Sequence, residues 1–281
     1  MAAIGDSANL LVDSEWLKAN RGSEVVLIDT RPAADYWNGH LEGARHFDPF
    51  PFHHSDTGEP AMREFRGQLE WIFSALGITG GETVVFYEND SGMRAARGAW
   101  ALEYMGHPSV RILDGGLKQA PNTALSTTAT AFAPENFKGN PLEHAFASYR
   151  YIVERMGGPG VQIFDVRTDE EYYGERVRAR HGGAIAGAVH RDWVHSLAAD
   201  GRFKSASQMR AEFEALGLRP ENEIIPYCQG GYRSAHAYIA LRLAGYPQVR
   251  NYLGSWGEWG NHDDLPIDRP RRKTTTAPIA R

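Results

Sequence analysis

Val26-Leu-Ile-Asp-Thr-Arg31 returns further along the chain as Gln162-Ile-Phe-Asp-Val-Arg167. Both are apolar runs closed by Asp-x-Arg, they lie at an offset of 136, and Tyr36 then falls on Tyr172. Working outward, Ala75-Leu-Gly-Ile78 matches Ala215-Leu-Gly-Leu218, and Val84-Val-Phe-Tyr87 matches Ile224-Ile-Pro-Tyr227, both at an offset of 140. After a one-residue deletion the offset is 139, setting Arg94 on Arg233, Gly106-His-Pro108 on Gly245-Tyr-Pro247 and Val110-Arg111 on Val249-Arg250. Offsets that drift so little through an ordered series of matches mean two copies of one fold, each of about 120 to 130 residues. The reading places the copies at residues 1–120 and 149–268. The stretch between them, 121–148, is rich in Thr, Ala, Pro and Asn and reads as a linker; 269–281 reads as a mobile basic tail.

Each copy alternates short β-branched or aromatic runs with helical ones. Val25 to Ile28, Thr83 to Tyr87, Val161 to Phe164 and Glu223 to Tyr227 read as strands. Gln208 to Leu216 reads as an amphipathic helix stopped by Gly217, and Ala237, Ala240, Leu241 and Ala244 give the spacing of another stopped by Gly245. The alternation predicts an α/β fold, each domain a mostly parallel sheet flanked by helices. Ligands of such sheets sit beyond the carboxyl ends of the strands.

Composition removes several classes of function. A net charge of −5 offers no positive field for nucleic acid or anionic lipid. No segment is apolar enough to cross a bilayer, and Met1 to Val12 lacks a basic region followed by an apolar one, so a cytoplasmic location is the default expectation. A single cysteine, Cys228, excludes an intrachain disulfide framework and any multi-cysteine metal site. His53-His54, His181, His190 and His195 have no metal-ligand spacing, and no metal or organic cofactor is expected.

Cys228 closes a strand and opens Cys228-Gln-Gly-Gly-Tyr-Arg-Ser234, with a helix beginning near Ser234. Two adjacent glycines let successive N–H groups of Gln229, Gly230, Gly231, Tyr232, Arg233 and Ser234 turn inward as an anion nest, while Arg233 and the helix dipole add positive charge. All of these favour thiolate over thiol, and lowering a thiol pKa by two units takes the ionised fraction at neutral pH from about 3% to about 75%. Pro226 withholds a backbone donor inside what reads as a buried strand.

These segments, with Gly39-His-Leu-Glu-Gly-Ala44 echoed by Gly183-Ala-Ile-Ala-Gly-Ala188 and with Gly254-Ser-Trp-Gly-Glu-Trp259, resemble the rhodanese-type sulfurtransferases, specifically the tandem thiosulfate and 3-mercaptopyruvate enzymes. The resemblance implies that only the second copy is active, and Glu88 stands where the second copy has Cys228. It implies a two-step reaction in which the Cys228 thiolate takes the outer sulfur of a small anionic donor as a persulfide. A thiophilic acceptor then removes that sulfur: cyanide in an assay, a thiol or dithiol, including one on an acceptor protein, in the cell. The form Cys-x-x-Gly-x-Arg-Ser is similar to bacterial thiosulfate enzymes, which favours thiosulfate; 3-mercaptopyruvate turnover and a persulfide carrier with little turnover are the alternatives.

Around the loop, Arg233 either meets the donor or braces the loop through backbone carbonyls. Arg176, Arg178 and Arg180 lie where related enzymes place a substrate-binding arginine, or form a solvated loop. Asp165 and Arg167 read as buttresses of the core, Trp256 and Trp259 as packing residues, and His236 as a helix-surface histidine. Cell-cycle phosphatases share the fold but have five residues between cysteine and arginine, whereas Gln229 to Tyr232 are four, a length that suits a sulfur species.

Overall fold

The computed structural model describes residues 10–272 apart from positions 21, 23 and 122. In the first half β1 (Leu11–Val12), α1 (Ser14–Ala19), β2 (Val25–Asp29), α2 (Ala33–Asn38), β3 (His40–Leu41), β4 (Arg45–His46), α3 (Glu59–Ala75), β5 (Thr83–Tyr87), α4 (Met93–Tyr104), β6 (Val110–Leu113) and β7 (Leu125–Ser126) follow in order. In the second half come β8 (Phe146–Ala147), α5 (Tyr149–Arg155), β9 (Val161–Asp165), α6 (Asp169–Tyr172), β10 (Ala184–Ile185) and β11 (Val189–His190). They continue with α7 (Ala206–Ala215), β12 (Glu223–Tyr227), α8 (Tyr232–Leu243), β13 (Asn251–Tyr252), α9 (Ser255–Trp259) and β14 (Ile267–Asp268).

The first sheet is parallel throughout, in the order β1-β6-β5-β2-β4. The second has the same plan with one break: β11-β9-β12 forms one ladder and β13-β8 another. Pro226 explains the break. Ile224 still donates to Gln248 O (2.9 Å) and accepts from the Arg250 N–H (3.0 Å), joining β12 to the next strand at one bridge. Two residues on, the group that should donate in the same direction is the nitrogen of Pro226, which has no hydrogen. The matching residue of the first sheet, Phe86, pairs with Ile112 and the ladder continues.

Helix boundaries follow local chemistry. Met62, Phe65, Leu69, Ile72 and Phe73 line the buried face of α3 at helical spacing, and Pro60 sits in its first turn, where a missing N–H costs nothing. Ser205 and Gln208 form a reciprocal capping box at the start of α7. The α8 helix begins at Tyr232, two residues before the sequence-based boundary, and is buried almost all round because α4 of the first domain packs on its outer side. The largest cluster of buried apolar side chains draws on both halves and runs across this contact, with a smaller separate cluster in each half. Arg242 of α8 pairs with Glu103 of α4 there, both buried.

The connecting segment lies along the first domain. β7 pairs antiparallel with β3, Phe137 is buried, and Asn140 and Leu142 donate to the carbonyls of Met105 and Tyr104. Phe146–Ala147, inside the segment read as linker, is a strand of the second sheet. Of the stretch read as a tail, Arg272 contacts Asp169, Glu170 and Glu175, and residues 273–281 lie outside the described residues.

Candidate active site

β12 carries the chain to the carboxyl edge of its sheet, and the next residue is Cys228, 1% exposed. Gly231 turns the chain into α8 with a φ of +84°, a left-handed conformation that strains other residues, and any side chain there would come within 2.6 Å of Leu253 O. Gly230 is needed for a different reason: a Cβ would collide with the His53 ring, which reaches over the loop from the first domain.

The loop is held from below by Ser255. Its Oγ accepts from the N–H of Cys228 (3.0 Å) and of Gly231 (3.1 Å), donates to Tyr252 O (2.8 Å), and stands 3.9 Å from the Cys228 sulfur. Ser255 has a φ of +54°, strained backbone for a residue with a Cβ, and these three bonds hold it there. Two further bonds lock the loop onto α9, from Trp256 N–H to Cys228 O (2.9 Å) and from Gly257 N–H to Gln229 O (2.8 Å).

Burial pushes the Cys228 thiol up, yet the net shift is downward: the Arg233 charge, the backbone N–H groups of Ser234 and Gly230, and the Ser234 hydroxyl outweigh it. Of the N–H groups expected to turn inward, those of Gly230 and Ser234 act on the sulfur, whereas that of Gly231 is taken by Ser255. Arg233 lines the cleft over Cys228 and is braced by a partner other than the expected carbonyls. Its guanidinium makes a two-pronged ion pair with Glu171, Nη1 to Oε2 at 2.6 Å and Nη2 to Oε1 at 3.0 Å, so a carboxylate rather than backbone carbonyls braces it. Glu171 is 1% exposed and also receives Arg178 Nη1 at 3.2 Å. Burial would raise the Glu171 carboxyl, but Arg233 more than reverses this and holds it near 2.

The three-arginine cluster divides. Arg178 lines the cleft over Cys228, and its carbonyl accepts from Gln229 Nε2 (3.2 Å). Arg180 turns away to pair with Asp263, and Arg176 is exposed and does not line the cleft, so neither belongs with Cys228. The physical reason is that the loop bends at Arg176 and again at Ala179 and Arg180, which breaks the alternation that would put residues 176, 178 and 180 on one side of an extended chain. Asp165 and Arg167 are buried in a closed clamp: Arg167 donates to both carboxylate oxygens, including Nη2 to Oδ2 at 2.6 Å, and to Gly183 O at 2.7 Å. Asp29 and Arg31 repeat this, with Gly39 O as the third partner. Trp256 and Trp259 are buried.

His236 is corrected from surface to core. It is fully buried between Phe203 and Trp193, its Nε2 lies 3.0 Å from Ser91 O of the first domain, and burial lowers its pKa to about 3. Among the described residues no three His, Cys, Asp or Glu side chains converge as metal ligands.

The cleft measures about 550 Å³ and is lined by both domains: Phe50, His53 and Met93 from the first, Arg178, Arg233 and the Cys228 loop from the second. The three first-domain residues escaped the sequence reading because nothing local ties them to the loop. Tyr232 seals the joint, its hydroxyl donating to Pro49 O (3.3 Å) and Phe50 O (3.2 Å). Chemically the arrangement offers a thiol with a lowered pKa at the floor of a small cleft, cationic side chains beside it, and the N–H groups of Gly230 and Ser234 acting on its sulfur.

Comparison with known proteins agrees. The rhodanese-like domain model matches residues 13–120 and again 148–262. The chain is 34% identical to the thiosulfate sulfurtransferase of Azotobacter vinelandii, covering 93% of this chain and 98% of that one. It is 33% identical to the sulfur carrier protein TtuD of Thermus thermophilus, over 92% and 96% of the two chains. Among solved structures, one of a probable thiosulfate sulfurtransferase superposes with a TM-score of 0.70 at 27% identity, covering 89% of this chain and 99% of that one. No described helix is long and apolar enough to cross a membrane. With two rhodanese-like domains in tandem and relatives of this kind along most of its length, the chain belongs to the rhodanese family and is an enzyme of the sulfurtransferase type.

Proposed function

We propose that the chain transfers the sulfane sulfur of thiosulfate through a persulfide on Cys228. The Cys228 thiolate attacks the outer sulfur of thiosulfate, the sulfur–sulfur bond of the donor breaks, and its electron pair leaves with sulfite. The enzyme keeps one sulfur as Cys–S–S⁻. Cyanide, or a thiolate acceptor, then attacks the outer sulfur, leaves as thiocyanate or a new persulfide, and regenerates the Cys228 thiolate. This is covalent catalysis in two half-reactions, and it requires ping-pong kinetics.

The observation that carries the reading is the lowered thiol of Cys228, placed at the floor of an interdomain cleft with inward N–H groups around it. An anionic donor suits the charge balance, because Arg233 and Arg178 share the single carboxylate of Glu171. The terminal sulfur of the persulfide is held as an oxyanion is held, by donors that need no reorganisation. The first domain carries no sulfur in this account, since Glu88 stands at its loop and a carboxylate forms no persulfide.

Steady-state transfer to cyanide from thiosulfate and from 3-mercaptopyruvate, for the wild type and Cys228→Ser, tests the proposal. Thiosulfate turnover that falls at least about a thousandfold in C228S supports it. Preference for 3-mercaptopyruvate would replace the donor, and turnover surviving in C228S would sink the mechanism. The likeness to a sulfur carrier favours one second reading, in which Cys228 is loaded but passes its sulfur to a protein. Its mark is stoichiometric loading from thiosulfate with negligible cyanide turnover.

A further inference from the structure

One cation beside the loop has no counter-ion among the described residues. Arg97 of α4 is 2% exposed, and its Nη1 has no hydrogen-bond partner. Its surroundings are aromatic faces: Trp100 at 4.8 Å, Tyr232 at 5.3 Å and Phe65 at 5.5 Å from the guanidinium carbon. Other buried arginines differ. Arg167 has Asp165, Arg233 has Glu171 and Arg242 has Glu103. A guanidinium withdrawn from water is costly to hold against ring quadrupoles alone. Burial lowers the Arg97 pKa only to about 10, so the group keeps its charge at neutral pH.

The missing anion is next door. A side chain on Gly231 would lie 3.4 Å from Arg97 Nη1, so the guanidinium stands against the backbone of the Cys228 loop. We propose that Arg97, a residue of the first domain, is a positioning residue for the sulfur chemistry: the anion on Cys228, thiolate or persulfide, is its counter-charge across the domain interface. The inference rests on the reading of Cys228 as the sulfur-bearing nucleophile. It also gives the first domain an electrostatic part in a site whose nucleophile it does not supply.

The neighbouring groups leave room for this part. On the Cys228 side stand Arg233 from α8, Arg178 from the loop after α6 and the Ser255 hydroxyl from α9. On the Arg97 side stand Tyr232 and the imidazoles of His53 and His54, both held below the ordinary histidine value by burial and then by the Arg97 charge. Both imidazoles are therefore neutral at neutral pH. Arg94, also on α4, is engaged by Asp48. Arg233 is the charge that most lowers the thiol, and the charge on Cys228 in turn raises the pKa of the buried Arg97.

The test uses the single cysteine, so that thiolate absorbance or iodoacetamide alkylation as a function of pH reads Cys228 alone in the full-length protein. Arg97→Met is expected to raise the midpoint by about one unit, leaving roughly tenfold less thiolate at a pH below it. Sulfur uptake from thiosulfate should fall by the same factor at neutral pH and recover at high pH, a profile that a merely structural role would not produce. Arg97→Lys keeps the charge and should stay within about 0.3 unit of the wild type, which leaves a readout if R97M does not fold. An unchanged midpoint in folded R97M, or a one-unit shift in R97K, overturns the proposal. Failure of the underlying reading looks different: wild-type Cys228 then takes up no sulfur from thiosulfate while the midpoint still moves in R97M.

Discussion

The loop after β5 and the loop after β12 are two versions of one device, and they differ in what fills them. In the first domain Glu88 folds its carboxylate back into the opening, accepting the N–H groups of Arg94 (2.8 Å) and Ala95 (2.9 Å) at the start of α4. In the second domain the N–H of Ser234, which matches Ala95, acts instead on the Cys228 sulfur. The supporting parts are shared, since both domains carry the same Asp-x-Arg clamp and the same tyrosine hydroxyl accepting from β3 or β10 at 3.0 Å. A nest of N–H groups at a helix start therefore recruits an acceptor in both domains. What separates the two loops is whether the chain supplies that acceptor itself.

The comparison should break most visibly at the carboxylate that clamps Arg233. Glu171 is matched by Asp35 in the first domain, which takes part in no ion pair among the described residues. Glu171→Gln leaves Arg233 buried against a neutral partner and is expected to cost about 3 kcal/mol in urea unfolding, whereas Asp35→Asn stays within about 0.5 kcal/mol. Equal losses would mean that the two loops are braced alike.

A smaller effect concerns the filled nest. Burial raises the Glu88 carboxyl to about 7, above its value in the unfolded chain. Its contribution to stability is therefore fully present below the ordinary carboxylate pKa and is lost as pH rises through 7. Between about pH 4.5 and 8 the wild type should lose on the order of 2 kcal/mol relative to Glu88→Gln, while sulfur transfer changes less than about threefold. A parallel pH dependence in the two proteins would contradict the assignment. His236 has the opposite sign: its depressed pKa contributes stability above the ordinary histidine value that is lost as pH falls toward 3. Comparing E88Q with the wild type cancels that term.

The smallest expected effect is at the broken ladder. Pro226→Val restores a donor toward the strand of Arg250 and should add at most about 1 kcal/mol, with slow hydrogen exchange at the new amide. Fast exchange there would show that something besides the missing N–H keeps the two ladders apart.

The repeat made most of this architecture legible, because the strands that carry it recur at nearly fixed offsets. The loop around Cys228 was legible too, since its glycines, Arg233 and the following helix are contiguous in sequence. What escaped was everything brought in from far away. His53, Phe50 and Arg97 reach the loop through the packing of α4 on α8, which no local pattern encodes. His236 was misplaced although a signal existed: Ser234 to Leu241 holds no Asp, Glu, Lys or Arg, and a helix without a charged face is a buried one. Arg176, Arg178 and Arg180 could not be sorted because their even spacing in sequence does not reveal where the loop bends and so which way each side chain turns.

The central claim is that one loop of the pair carries sulfur and the other does not. Intact mass of the wild type and of C228S after incubation with thiosulfate and removal of the excess tests it most directly. The account predicts a gain of one sulfur, roughly 32 Da, in the wild type and none in C228S. No gain in the wild type, or an equal gain in both, would contradict it.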